Sequence, residues 1–309
     1  MRFVTEEQVQ KALPVRKCIE VLRDAFSREF INIPRYRLKS PNSLLHVMSA
    51  SIPSLGIIGL KAYATTKSNA SFVVLLFNEQ TAELRAVLEA DHLGQIRTGA
   101  ASGLATDLLA NPQSKIGAIF GSGYQAETQL LAIDAVRRFD EVRVFSPTPE
   151  KRHRFVESMQ GQVDSKLREV SSGEECAANA DVICTITSSR EPVLKGAWLK
   201  PGCHVNAAGS NAANRREVDE EGIKRCSLVC VDHREQSKIE AGDLIGVISD
   251  WSSVYELSDL VSGKVKRSHP EDITFFKSNG VAVEDIAAAH FILQTLEDRA
   301  PHSPNESKK

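Results

Sequence analysis

Residues 115–136 read KIGAIFGSGYQAETQLLAIDAV. Lys115–Phe120 is a short, mostly apolar run of strand type. Gly121-Ser122-Gly123 is a turn, and the Ala- and Leu-rich remainder has the composition of a helix. A glycine turn placed after a strand and opening a helix is the setting that a dinucleotide fingerprint requires. In that reading Gly121 permits the tight turn and Gly123 lets the backbone approach a pyrophosphate. The pyrophosphate then rests on the helix N-terminus, next to Ser122, Tyr124 and Gln125. Ala126 takes the third glycine position, where the helix packs closely on the sheet.

Working outward, the same rhythm continues downstream. Glu141–Ser146, Arg168–Val170, Asp181–Thr187, His204–Gly209 and Leu228–Asp232 read as strands, and Pro149–Met159 and Gly173–Asn179 as helices. Strands alternating with helices predict parallel βαβ units, and runs such as VICTI predict strands covered on both faces. Thr274–Glu297 reads as a glycine-bearing turn followed by a long helix, and 300–309 as a disordered tail. Upstream the rhythm differs. Thr5–Phe30 predicts one or two helices broken near Pro14. Between Arg35 and Val87, short apolar runs separated by turn residues predict an antiparallel sheet. Thr98–Leu109 reads as a tightly packing helix, and no internal repeat is present.

The bulk properties narrow the function classes. The chain has 309 residues, 42% hydrophobic and 25% charged, with a net charge of −2. That balance argues against nucleic-acid and membrane partners. No apolar run reaches membrane length, the N-terminus lacks a signal pattern, and the scattered cysteines read as buried free thiols of a reducing cytoplasm. The six cysteines are scattered, and Cys226 and Cys230 have no second ligand pair, so no metal site is expected.

Cofactor choice is read at the end of the second strand of the nucleotide unit. Val144-Phe145-Ser146-Pro147-Thr148 carries no acid for a ribose 2′-hydroxyl. Ser146 and Thr148 suit a 2′-phosphate, with Lys151, Arg152 or Arg154 to neutralise it. NADP(H) is therefore favoured, with NAD(H) as the alternative. Three cations stand out upstream: Arg37 before the first strand of the antiparallel sheet, Lys61 inside GIIGLKAYAT, and Arg97 in HLGQIRTGA. Cations in apolar surroundings are costly until an anion joins them, so together they suggest a carboxylate pocket.

Taken as a set, LHVMSA (45–50), GLKAYAT (59–65), IRTGAASGLAT (96–106), IFGSGYQAETQ (119–129), VNAAGSN (205–211) and FKSNGVAVEDIAAA (276–289) resemble the ornithine cyclodeaminase/μ-crystallin family in order and spacing. The resemblance implies an α/β chain of two parts. A doubly wound parallel Rossmann sheet would occupy residues 114–277. Residues 1–113 with 278–309 would form an α+β domain for substrate and dimerisation. Arg37, Lys61 and Arg97 are implied as the cations at the substrate carboxylate and nicotinamide. Gln125, Ala126, Ser146, Thr185, the backbone of Val205, Asn206, Ala207 and Ala208, Arg215 and Ser278 are implied as cofactor contacts, and Asn279 as facing substrate.

The chain departs from the cyclodeaminase branch at two positions: Asn211 where that branch carries aspartate, and His46 where it carries glutamate. An amide cannot shuttle the protons that cyclodeamination needs. The same site can still orient a cyclic imino acid for hydride transfer from a nicotinamide. The expected reaction is reduction of Δ1-pyrroline-2-carboxylate or Δ1-piperideine-2-carboxylate to proline or pipecolate by a homodimer, with Lys61 or His46 supplying the proton. Alternatives are an alanine dehydrogenase-like enzyme, an ornithine cyclodeaminase, a cis-3-hydroxyproline dehydratase, and a non-catalytic NADP-dependent binding protein.

Overall fold

The computed structural model describes residues 1–299. The expectation for the tail falls outside the described residues. A short strand β1 (Arg2–Val4) leads into helices α1 (Glu6–Ala12) and α2 (Val15–Phe26). Thr5 opens α1 with a capping box to Gln8, and Pro14 separates the two helices. Strands β2 (Ile31–Lys39), β3 (Leu44–Ile52), β4 (Ile57–Thr65), β5 (Ala70–Asn78) and β6 (Leu84–Glu89) form an antiparallel meander, and β1 joins β6 in parallel at the edge. One face of this sheet packs on helices. The other leaves Ile31, Ile33, Tyr36, Leu38, Leu45 and Ile58 exposed.

Helix α3 (Asp91–Leu109) then crosses to β7 (Ile116–Phe120), and the parallel sheet follows. Its further elements are α4 (Tyr124–Val136), β8 (Glu141–Phe145), α5 (Pro149–Met159), β9 (Lys166–Glu169), α6 (Gly173–Ala177), β10 (Val182–Thr185), β11 (His204–Ala207), α7 (Glu220–Lys224), β12 (Leu228–Val231), α8 (Arg234–Glu240), β13 (Tyr255–Glu256), α9 (Leu257–Val261), β14 (Thr274–Lys277) and α10 (Ala282–Asp298). The strand order is β13-β12-β14-β11-β10-β7-β8-β9, with every pairing parallel. Strands β10, β11, β12 and β14 are buried throughout, as covering of both faces demands. Order reverses beside β7, so the carboxyl ends of β7 and β10 open a crevice there. Helix α10 leaves the parallel sheet and packs on α2, α3, β3 and β4 of the first sheet.

Three expectations change. TFFK at 274–277 is not part of a turn but a central strand between β11 and β12. Four residues carry no period that separates a buried strand from a loop. Helix α3 begins at Asp91 rather than Thr98, because Glu6 accepts the amides of Asp91 and His92 and so caps the earlier turn. Arg37 lies inside β2, not before the first strand. Among the described residues no helix is long and apolar enough to cross a membrane.

Candidate functional site

Two cavities meet at the junction of the sheets. The larger, about 670 Å³, lies over the glycine turn and is lined by Gly121, Ser122, Gly123, Tyr124 and Gln125 together with Ser146, Thr148, Lys151 and Arg215. The smaller, about 240 Å³, is lined by Arg35, Lys61, Arg97, Asn211, Ser278 and Asn279, with Tyr63 and Phe72 as aromatic wall. Gln125, Ile186 and Gly209 line both, so the cavities share a boundary.

The glycine turn fits a nicotinamide dinucleotide. Gly121 has φ +127°, and a Cβ there would meet the Ile186 carbonyl oxygen at 2.5 Å. No side chain larger than that of glycine is accommodated at this position without strain. A Cβ on Gly123 would project into open space over the turn. Gly123 is the N-cap of α4 and supplies no side-chain cap, which leaves first-turn amides for an anion. The buried Oε1 of Gln125 has no protein partner. Among the described residues, no Asp or Glu lines this cavity.

In the smaller cavity the cations come from β2, β4 and α3, and the counterions of the latter two from α10. Lys61, on β4, is 2% exposed, and its Nζ donates to Asp285 Oδ1 at 2.8 Å. Arg97, on α3, donates through Nε to the same oxygen at 3.0 Å and through Nη1 to Glu284 Oε2 at 2.9 Å. Both carboxylates lie in the first turn of α10, where the helix dipole favours negative charge. Gly94 makes room for the lysine: a Cβ there would lie 2.8 Å from Nζ. Burial lowers Lys61 from the ordinary lysine value to about 8, with Asp285 opposing the fall and Arg97 adding to it. Burial pushes Glu284 up to about 8, against the pull of Arg97. Asp285 is held below the usual range because Arg97 and Lys61 together outweigh its burial.

The expected site residues divide. Lys61, Arg97, Asn211, Asn279, Ser278 and Ala208 line the smaller cavity, and Gly121–Gln125, Ser146, Thr148 and Arg215 the larger. Thr185, Val205, Asn206 and Ala207 are buried in β10 and β11 and line neither, as does Ala126 in α4. Thr185 Oγ1 nevertheless lacks a partner, and Asn206 Nδ2 donates to Thr106 at 2.9 Å. Arg152 is not at the larger cavity. Its Nη1 donates to the Ser146 carbonyl at 2.8 Å, and Lys151 holds the cavity position instead.

His46 and Arg37 also depart from expectation. The imidazole of His46 stacks on Tyr63 with centroids 4.1 Å apart, outside the cavity lining. Burial, with Arg37 and Arg35 nearby, lowers its pKa to about 4, so it is neutral near pH 7 and has no imidazolium proton to give. Arg37 points to Glu240 and to the Asn211 carbonyl, and the arginine that lines the cavity is Arg35. Sequence reasoning passed over Arg35, Glu240, Glu284 and Asp285. The last two stood in the quoted VAVEDIAAA stretch, where an acidic pair inside an otherwise apolar helix was the available signal.

Comparisons with known proteins agree with this geometry. Residues 1–300 match the ornithine cyclodeaminase/mu-crystallin family. Over 219 residues the chain is 39% identical to a ketimine reductase mu-crystallin of Mus musculus, covering 71% of this chain and 67% of the relative. Over 266 residues it is 33% identical to a Δ1-pyrroline-2-carboxylate reductase of Bacillus cereus, covering 82% of each. The fold superposes with TM-score 0.91 and 30% identity on the Thermococcus litoralis Δ1-pyrroline-2-carboxylate reductase in complex with NADH and L-proline, over 96% of this chain and 98% of that one. With the glycine turn, the cation cavity and near full-length similarity all in register, the chain belongs to the ornithine cyclodeaminase/mu-crystallin family.

Proposed function

We propose that this protein is an NAD(P)H-dependent reductase that converts cyclic imino acids, Δ1-pyrroline-2-carboxylate and Δ1-piperideine-2-carboxylate, to L-proline and L-pipecolate. The observation that carries the reading is the boundary shared by the cavity over the glycine turn and a small cavity holding Lys61, Arg97 and Arg35. A carboxylate next to a C=N carbon is the group these cations would hold, while the ring lies along Tyr63 and Phe72.

A nicotinamide dinucleotide held over the glycine turn would supply the hydride for the imine carbon. The chain supplies the rest. Gly121–Gln125, Ser146 and Arg215 hold the dinucleotide, and Arg97 and Arg35 grip the substrate carboxylate in a buried, charge-assisted contact. Lys61, near its midpoint at about pH 8, delivers the proton that the ring nitrogen needs as C=N becomes CH–NH. Asp285 keeps the ammonium in place. Asn211 keeps a hydrogen bond but no titratable proton, which favours reduction over cyclodeamination.

A cavity whose lining near Ser146, Thr148 and Lys151 has no Asp or Glu among the described residues favours NADPH over NADH. The exposed Ile31, Ile33, Tyr36 and Leu38 on the outer sheet face support a homodimer through that face. Free cysteines, all but Cys226 buried, suit a reducing, cytoplasmic setting. The test follows loss of reduced cofactor with each cyclic imine, and separately with pyruvate plus ammonium. Turnover confined to pyruvate and ammonium would make the protein an alanine dehydrogenase instead. Tight NADPH binding without turnover on either would make it a binding protein.

A further inference from the structure

Glu240 ends α8, on the dinucleotide side, yet its carboxylate reaches the first sheet and is 1% exposed. Its Oε2 accepts from Arg35 Nη1 at 2.6 Å and from Gln236 Nε2 at 3.0 Å. Its Oε1 pairs with Arg37 Nη1, also at 2.6 Å. One carboxylate thus holds two guanidinium groups from β2. They face it together because β2 carries a bulge between Ile33 and Tyr36. The extra residue turns Arg35 and Arg37 inward, although Ile31 and Ile33, of the same parity, face outward.

The two arginines then do different work. Arg35 lines the small cavity. Its Nη2 donates to the carbonyls of Asn279 and Gly280 at 3.1 and 2.8 Å, and its buried Nε has no protein partner. Arg37 is absent from the lining, but its Nη2 donates to the carbonyl of Asn211 at 2.8 Å, and Asn211 is itself a lining residue. One carboxylate between two guanidinium groups leaves one positive charge, which an incoming monocarboxylate matches.

We infer that Glu240 and Arg37 are positioning residues for the substrate carboxylate, aiming Arg35 into the cavity and tethering the Asn211 loop across the junction of the two sheets. This rests on the proposed imino-acid site. Neither residue lines the cofactor cavity, so their effect falls on substrate and spares the dinucleotide.

The test compares wild type, Glu240→Gln, Arg37→Gln and the double variant. Three quantities are read: KM for Δ1-pyrroline-2-carboxylate, the Kd of NADPH by fluorescence, and the Kd of pyrrole-2-carboxylate, a planar carboxylate probe, in the presence of NADPH. Glu240→Gln is expected to raise the imine KM and the probe Kd about tenfold or more while moving the NADPH Kd less than about twofold. Arg37→Gln is expected to raise both by a smaller factor, and the double variant to fall short of the product of the singles. A parallel rise in NADPH Kd would reveal only a general structural role and overturn the inference, as would an unchanged probe Kd. A wild type that binds the probe but reduces no imine would overturn the proposed reaction and leave the positioning result to be read from the probe. If Glu240→Gln does not fold, Arg37→Gln decides, because that side chain is 28% exposed and its loss leaves the Arg35–Glu240 pair intact.

Discussion

Replacing Lys61 by methionine separates the cost of a buried charge from its use. The side chain keeps its length and apolar stem and loses the ammonium. Lysine ordinarily ionises near 10.5, and burial brings Lys61 to about 8, which corresponds to about 3 kcal/mol charged to the folded state at neutral pH. The sign follows from proton counting. Between about pH 8 and 10.5 the unfolded chain holds a proton that the folded chain has released, so this lysine makes stability rise with pH in that window. Below it both states are protonated and the penalty is fully present. Lys61→Met should therefore match or exceed the wild type in stability near neutrality, by up to about 3 kcal/mol, and should lack the wild-type rise at alkaline pH. Asp285 still has Arg97 at 3.0 Å, so its charge is not stranded. Catalysis should move the other way, with kcat falling about a hundredfold or more as the proton donor is lost. Wild-type kcat/KM should decline above about pH 8, and that decline should vanish in the residual activity of the variant. The assay pairs urea denaturation across the alkaline range with initial rates of cofactor oxidation. A variant that is less stable at neutrality and keeps the wild-type alkaline rise would refute the buried-charge reasoning. A surviving decline near pH 8 would assign it to Glu284, also held at about 8, and remove Lys61 as the donor.

Arg97→Ala should lower kcat/KM for the cyclic imine by about thirtyfold or more, since a buried charge-assisted contact is worth about 2–5 kcal/mol. A near-wild-type value would show that the guanidinium does not hold the carboxylate, and Asn211→Ala should cost less in the same assay. Lys151→Ala should raise the KM for NADPH several-fold and leave that for NADH in place, and a larger effect from Arg152→Ala would return the phosphate to the arginine. Gly121→Ala should lower the thermal midpoint and weaken cofactor binding, because it combines positive φ with a carbonyl oxygen 2.5 Å from the new Cβ, a strain of about 1–3 kcal/mol. Ile33→Asp on the exposed sheet face should shift the particle to half its mass in light scattering, and an unchanged mass would exclude that face as the dimer contact.

Much of the arrangement was legible because it is local. The glycine turn at 121–123 follows a strand and opens a helix, and each step has a composition that chain neighbours alone dictate. The antiparallel meander showed in its alternating apolar runs, and Lys61 stood out by being a cation inside one. The pairing of charges was not legible. Asp285 lies 224 residues from Lys61, and Glu240 lies 205 from Arg35, so no window of sequence contains either partnership.

Of the two arginines in PRYRL, the sequence reading took Arg37 and passed over Arg35, because nothing local ranks one above the other. Parity along β2 would place Arg35 and Arg37 on the face of Ile31 and Ile33. The bulge between Ile33 and Tyr36 reverses that parity; Glu240 from α8 pairs with both guanidinium groups, and only Arg35 lines the cavity. His46 shows the same division. Its identity marks the departure from the cyclodeaminase branch, but only burial in the folded chain, with Arg37 and Arg35 near, makes it neutral and not an acid, stacked on Tyr63 outside the cavity lining. The amino-acid sequence by itself determined the kind of site, a dinucleotide turn beside a group of cations. Tertiary structure decided which cations face the substrate and which proton can move, because both depend on burial and on counterions that distant elements bring.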